Sequence, residues 1–220
     1  MKGLGLAMSM SGMVACGMLF CLASGDFDLS VASVIACAGV VCAVVINMTE
    51  SLWIGIAAGL VLGVACGFVN GFVIAKLKIN ALITTLATMQ IVRGLAYIFS
   101  DGKAVGIEDE RFFALGYASW LGVPAPVWLT IITLALFAFL LNKTTFGRNT
   151  LAIGGNEEAA RLAGVPVVRT RIIIFILSGL VSAAAGIILA SRMTSGQPMT
   201  SLGYELIVIS ACCLLYTSDA

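Results

Sequence analysis

The 220-residue chain contains no histidine. That absence excludes Ser-His-Asp and Cys-His catalysis, a histidine-ligated metal and a histidine proton relay within this segment. There is no GxxxxGK[ST] loop either, so if ATP powers this protein the nucleotide is bound by another chain. Seven cysteines are present but none forms a CxxC pair. Cys16, Cys21, Cys37, Cys42 and Cys66 lie inside apolar runs and Cys212 adjoins Cys213, a pattern of small buried hydrophobes rather than a redox or metal site. Charge is scarce as well: Asp, Glu, Lys and Arg make up 10% of the residues against about 25% in globular domains. With a net charge of +1 and scattered basic residues, nucleic acid is not an expected partner.

What the chain has in abundance is apolar surface, 60% of its residues. Such a chain cannot cover itself with polar groups, and the bilayer is the environment it fits. Residues 3–25, 29–49, 51–75 and 172–191 carry no charge, and each is near the 20 or so residues that cross the hydrocarbon as a helix. Residues 112–142 are also uncharged but are divided by Pro124 and Pro126, which predicts a span over about 127–141. Residues 81–100 form a span with one internal charge, Arg93. Long continuous runs without alternation specify helices rather than a barrel. The fold class is therefore all-α, a polytopic transmembrane helical bundle.

Lys and Arg in short loops set the orientation. Lys76 and Lys78 mark one loop; Lys143, Arg148, Arg161, Arg169 and Arg171 mark another, two spans later. Both belong on the cytoplasmic face. The intervening segment 101–126, with Asp101, Glu108, Asp109 and Glu110, then falls outside, and GDFDLS with Asp26 and Asp28 falls near the cytoplasm by parity.

Within the spans, Gly55, Gly59, Gly63, Gly67 and Gly71 recur every four residues. They draw a slowly drifting stripe on which a neighbouring helix can approach the backbone closely. Ser178, Ser182, Gly186 and Ala190 form a milder version. Gln90 and Arg93 are three apart on one helical face, and an unpaired guanidinium in lipid costs several kcal/mol on insertion scales. They are candidates for the wall of a solute pathway; Arg93 otherwise sits at the interface, snorkelling or pairing with Asp101. Asn70 reads as a bond across a helix interface, and Glu205 as a residue at a span entrance.

One stretch is water-soluble: GGNEEAARLAG, residues 154–164. Asn156 suits an N-cap, Glu157 and Glu158 complement the positive end of the helix dipole, and Gly164 with Pro166 supplies a stop. The result is a helix of roughly two turns, too short to stand alone in water. Ala159, Leu162 and Ala163 form a small apolar face with Arg161 directed elsewhere, a shape suited to a groove on another protein. A solvated helix that merely joins two spans fits the same residues.

GDFDLSVAS, NGFVIAKLKINALITTLATMQIVRGLAYIFSDG and FGRNTLAIGGNEEAARLAGVPVVRTR together resemble the permease subunit of bacterial ABC sugar importers of the ribose/arabinose/xylose type, closest to the L-arabinose branch. The resemblance covers residues 1 to about 212. It implies that the helix carrying Asn156, Glu157, Glu158, Ala159, Ala160, Arg161, Leu162, Ala163 and Gly164 docks into a cleft on a separate ATPase subunit, since Glu158, Ala159, Ala160 and Gly164 match an EAA-like pattern followed by Gly. It further implies import of a monosaccharide by alternating access in the bacterial inner membrane. The partners it implies are a periplasmic sugar-binding protein, a second permease copy and the ABC ATPase, with ATP and Mg held by that ATPase and no cofactor on this chain.

The chain is read as one partial permease domain over 1–220, with a coupling loop over 142–171. Such permeases have a further span before KGLGLAMSMSG and continue past VISAC, so residues 213–220 read as a tail foreign to the family. Two rival classes remain. A self-contained secondary sugar transporter would use an intramembrane carboxylate, for which Glu205 and the Asp26/Asp28 pair are the available groups, although no internal repeat is evident. A membrane scaffold without transport would account for the glycine stripe but leaves the capped helix without a role.

Overall fold

The computed structural model describes residues 2–120 and 122–217. Its order is α1 (Lys2–Ala23), α2 (Val31–Thr49), α3 (Leu52–Leu77), α4 (Ala81–Phe99), β1 (Val105–Gly106), α5 (Glu110–Tyr117), β2 (Ser119–Trp120), β3 (Val123–Pro124), α6 (Ala125–Lys143), α7 (Thr145–Gly155), α8 (Glu157–Leu162), α9 (Val167–Met193), β4 (Ser195–Gly196) and α10 (Tyr204–Thr217). The architecture is an all-α multi-pass bundle. Helices α2, α3, α4, α6 and α9 are each long and apolar enough to cross a membrane, and Met8–Ala23 of α1 adds a shorter apolar segment. Residues 218–220 of the tail expected to be foreign lie outside the described residues.

The span predicted over about 127–141 starts earlier, at Ala125, and ends at Lys143. Pro124 is its N-cap and Pro126 lies in its first turn, where a missing N–H has no intrahelical partner to lose. Proline starts this helix instead of interrupting it.

Helix α9 is the axis of the bundle, with α1, α2 and α3 packed around it. The glycines of α3 set its contacts with α9 and with α2. A Cβ on Gly67 would collide with the Phe175 carbonyl, and one on Gly63 with the Gly179 carbonyl, whereas at Gly71 it would stand 2.8 Å from Ile172 Cα. At the other end of α3, a Cβ on Gly59 would stand 3.0 Å from the Ala38 carbonyl oxygen and one on Gly55 2.9 Å from that of Cys42. Four residues exceed one helical turn, so the stripe rotates by about 40° per step. It therefore meets α9 at one end of α3 and α2 at the other. Gly186 extends the close approach to Ile35 of α2.

The two ends of the bundle differ in chemistry. At one, β1 pairs antiparallel with β4, Ser191 Oγ donates to the Phe112 carbonyl at 2.6 Å, and Asn47 Nδ2 donates to the Gly106 carbonyl at 2.7 Å. Residues 105–112 are thus tied down over the end of α9. Lys76, Lys78, Arg148, Arg161 and Arg169, in or beside helix ends, lie at the opposite end, together with residues 24–30.

Candidate functional site at the basic end of the bundle

The soluble stretch forms α8, with Asn156 as its N-cap. Besides α8, the residues before it fold as α7, which the sequence reading did not anticipate because Gly147, Gly154 and Gly155 weaken local helix propensity. Tertiary contacts override that. Thr144 caps α7 by accepting from Gly147 N at 3.2 Å, and Phe146 stacks on Phe20 of α1 with centroids 5.7 Å apart. Gly154 lies directly on the Ala23 carbonyl, where no Cβ fits.

Helix α8 is built by local chemistry. The Asn156 side chain accepts from Ala159 N at 2.9 Å, with Glu157 and Glu158 in the first turn. At the other end Val165 N donates to the Ala160 carbonyl at 3.0 Å and Gly164 N to the Arg161 carbonyl at 3.1 Å, a Schellman closure that requires the positive φ of Gly164, +83°. Its inward face is a single residue. Ala160 is buried in a cluster with Ile153 and Val167, against which Val165 packs. Ala159, Leu162 and Ala163 all face out, and Leu162 is 86% exposed. Arg161 pairs with Glu157 at 2.8 Å. The chain therefore supports α8 from behind and presents a small apolar patch outward.

Behind α8 runs a chain of charged and polar side chains. Arg171, in the first turns of α9, donates from Nη1 to Glu157 Oε2 and from Nε to Asp26 Oδ2, each at 2.8 Å. The Asp26 contact is enclosed, with side-chain exposures of 16% for Arg171 and 10% for Asp26. Burial raises the Asp26 pKa above the ordinary aspartate value, and the Arg171 guanidinium opposes that rise. Two residues on, Asp28 is fully enclosed: Ser30 Oγ donates to Oδ1 at 2.6 Å and Ser178 Oγ of α9 to Oδ2 at 2.7 Å. Burial raises its pKa too, against the pull of the Ser30 and Ser178 donors.

Ser30 then accepts from Asn70 Nδ2 of α3 at 2.9 Å, and Asn70 Oδ1 accepts from Thr88 Oγ1 of α4 at 2.6 Å. Two short side-chain series thus leave the GDFDLS turn. One reaches α8 through Arg171; the other enters α9, α3 and α4. Sequence reading placed Asp26 and Asp28 on this face but assigned them no partners. The available signal was a pair of acids in a turn between two uncharged spans with no nearby cation in sequence.

Gln90 and Arg93 part company. Gln90 is exposed, whereas Arg93 is buried and donates from Nη1 to the carbonyls of Pro198 and Thr200 at 2.7 and 2.8 Å. Its partners are backbone oxygens of the loop between α9 and α10, not Asp101 as the interfacial alternative had it. Glu205 stands in the first turn of α10, at the entrance to that helix. Among the described residues no group of three His, Cys, Asp or Glu is placed to hold a metal ion.

Comparison with known proteins bears on what this arrangement serves. Residues 2–217 match the family described as branched-chain amino acid transport system / permease component. Over 97% of its length the chain is 88% identical to the L-arabinose transport system permease protein of Escherichia coli K12, covering 65% of that protein. It is 54% identical to the L-arabinose ABC transporter permease protein of Azospirillum brasilense, over 97% of the chain and 63% of the relative. It is 40% identical to the ribose import permease protein of Bacillus subtilis, over 96% of the chain and 66% of the relative. The chain thus spans about two thirds of the length of the curated relatives it matches. No solved structure matches it.

Proposed function

The chain belongs to the branched-chain amino acid transport system permease family, and on that premise we propose that it is the membrane-spanning subunit of an ATP-driven importer for a monosaccharide, L-arabinose. The substrate is the one that the Escherichia coli and Azospirillum brasilense relatives are named for. The observation that carries the mechanism is the wiring of α8: an outward apolar patch at Leu162 whose own Glu157 is joined through Arg171 to the GDFDLS turn.

In this reading the patch sits in a cleft of a separate ATPase subunit, which binds ATP and Mg. Closure of that subunit displaces α8, and the Schellman closure with its Ala160 cluster keeps α8 moving as one piece with the start of α9. Arg171 passes the displacement to the α1–α2 turn, and Asp28 with Ser178 passes it into the bundle. The two states of the pathway alternate only if the ATPase favours one of them, since equal affinity shifts nothing. A periplasmic binding protein delivers the sugar, a second permease copy completes the pathway, and the assembly resides in the bacterial inner membrane.

The test is L-arabinose uptake and ATP hydrolysis by the intact importer in proteoliposomes. Gly164→Pro abolishes the positive φ that closes α8, and Arg161→Glu reverses a charge beside the patch. Each is expected to loosen ATPase association or leave hydrolysis running without uptake. Normal uptake with both changes overturns the proposal. Uptake without any ATPase subunit would instead assign a secondary transporter, and absence of any solute dependence a scaffold.

A further inference from the structure

A groove of about 530 Å³ opens beside the start of α9 and reaches Arg161 of α8. Its charged walls are Lys76, Lys78, Arg161 and Arg169, and among the described residues no acidic side chain lines it. Arg161 is held by Glu157. Lys76, Lys78 and Arg169 form no ion pair among the described residues, and all three are exposed.

The backbone adds to this positive field. Helix α9, 27 residues long, begins at the groove with Pro166 as N-cap and no side-chain capping bond. Val167 N and Thr170 N find carbonyls in Val165 and Pro166. Among the described residues, the N–H groups of Val168 and Arg169 are left as uncapped donors, at the end of the helix where the dipole favours an anion.

The rest of the groove is aliphatic: Ala75, Val165, Pro166 and Val168 line it. Next to the two lysines, Leu77 and Ile79 are exposed at 57% and 44%. Cations alternating with bare aliphatic side chains at the mouths of two membrane helices match the boundary between headgroups and hydrocarbon. Leu77 closes the membrane-crossing helix α3, which sets these aliphatic side chains at the edge of the hydrocarbon.

We infer that this groove binds the headgroup of an anionic phospholipid from the cytoplasmic leaflet, phosphate against Lys76, Lys78, Arg169 and the α9 N-terminus, with its acyl chains along Leu77 and Ile79. The inference uses the orientation of the bundle and is independent of which sugar is carried.

The test is native mass spectrometry of the full chain taken from nanodiscs of mixed phosphatidylglycerol and phosphatidylcholine. The wild type is expected to retain phosphatidylglycerol in preference. Each Lys or Arg removed should weaken that preference about fivefold, and Lys76→Gln/Lys78→Gln/Arg169→Gln together about a hundredfold. Lys76→Arg/Lys78→Arg should keep it. Circular dichroism reports whether each variant is folded; if the triple variant is not, the fivefold losses of the single variants decide.

Equal retention of the two lipids by the wild type, or undiminished preference in the variants, overturns the inference. So does displacement of the phosphatidylglycerol by millimolar inorganic phosphate, which would make the ligand a free anion. Loss of ATPase co-purification in the glutamine variants with lipid retention unchanged would make the groove a protein-docking surface instead.

Discussion

Replacing Arg171 with methionine removes the side chain that pairs with both Glu157 and Asp26, and the two contacts are predicted to contribute very unequally. The Glu157 side chain is 36% exposed, so that arm resembles a surface ion pair worth at most about 1 kcal/mol. Asp26 is enclosed, and stripping the partner from a buried charge costs about 3–5 kcal/mol. Arg171→Met should therefore lower stability by about 3 kcal/mol near neutral pH, a drop of about 6–12 °C in Tm for a chain of this size, whereas Glu157→Gln should cost less than about 1 kcal/mol.

The pH dependence separates this cause from lost packing. Burial already holds the Asp26 pKa above its unfolded value. A raised acid contributes stability that is fully present below the unfolded pKa and is lost as pH rises through the folded pKa. Without Arg171 the folded pKa rises further, so the variant's deficit should be large near about pH 7.5 and shrink as the pH falls through the raised folded pKa to about pH 4, the ordinary aspartate value. Thermal unfolding in mild detergent, followed by circular dichroism across that range, measures it. Asp26→Asn in the Arg171→Met background should recover most of the loss. Arg171→Lys should be intermediate, because an ammonium cannot reproduce the fork that reaches both carboxylates. An equal deficit at both pH values, or a Glu157→Gln variant as unstable as Arg171→Met, refutes the reasoning.

Two further substitutions test the packing and the buried turn. Gly67→Ala places a methyl group against the Phe175 carbonyl and should cost about 2 kcal/mol or more, whereas Gly94→Ala enters open space on α4 and should gain about 0.5–1 kcal/mol; the Tm difference between the two variants checks both. Because the Asp28 pKa is raised by burial, its contribution should fall as pH rises from below about pH 4 through the raised value. Asp28→Asn should flatten that part of the stability profile, while Asp28→Leu, which deprives Ser30 and Ser178 of their acceptor, should cost about 1–3 kcal/mol at every pH.

What could be read without coordinates was whatever the physics states locally. Uncharged runs near 20 residues had to be membrane helices, because hydrocarbon offers no other partner to the backbone. Asn156, the following glutamates and Gly164 wrote both ends of α8, since caps and stops act within a turn of the residues that make them. The four-residue glycine spacing announced a close helix contact, but not that its rotation would carry it from α2 to α9.

Everything that required two distant residues to meet was left to the tertiary structure. Helix α7 exists against its glycines because Phe146 finds Phe20 and Gly154 finds the Ala23 carbonyl. Arg93 is satisfied by carbonyls more than a hundred positions away, which no helical periodicity encodes. The outward turn of Ala159, Leu162 and Ala163 follows from Ala160 taking the inner position. Asp26 and Asp28 acquire meaning only when α9 brings Arg171 and Ser178 beside them across about 150 residues. A buried carboxylate is governed by the partner folding delivers to it, and that partner is specified by packing rather than by its neighbours in the chain.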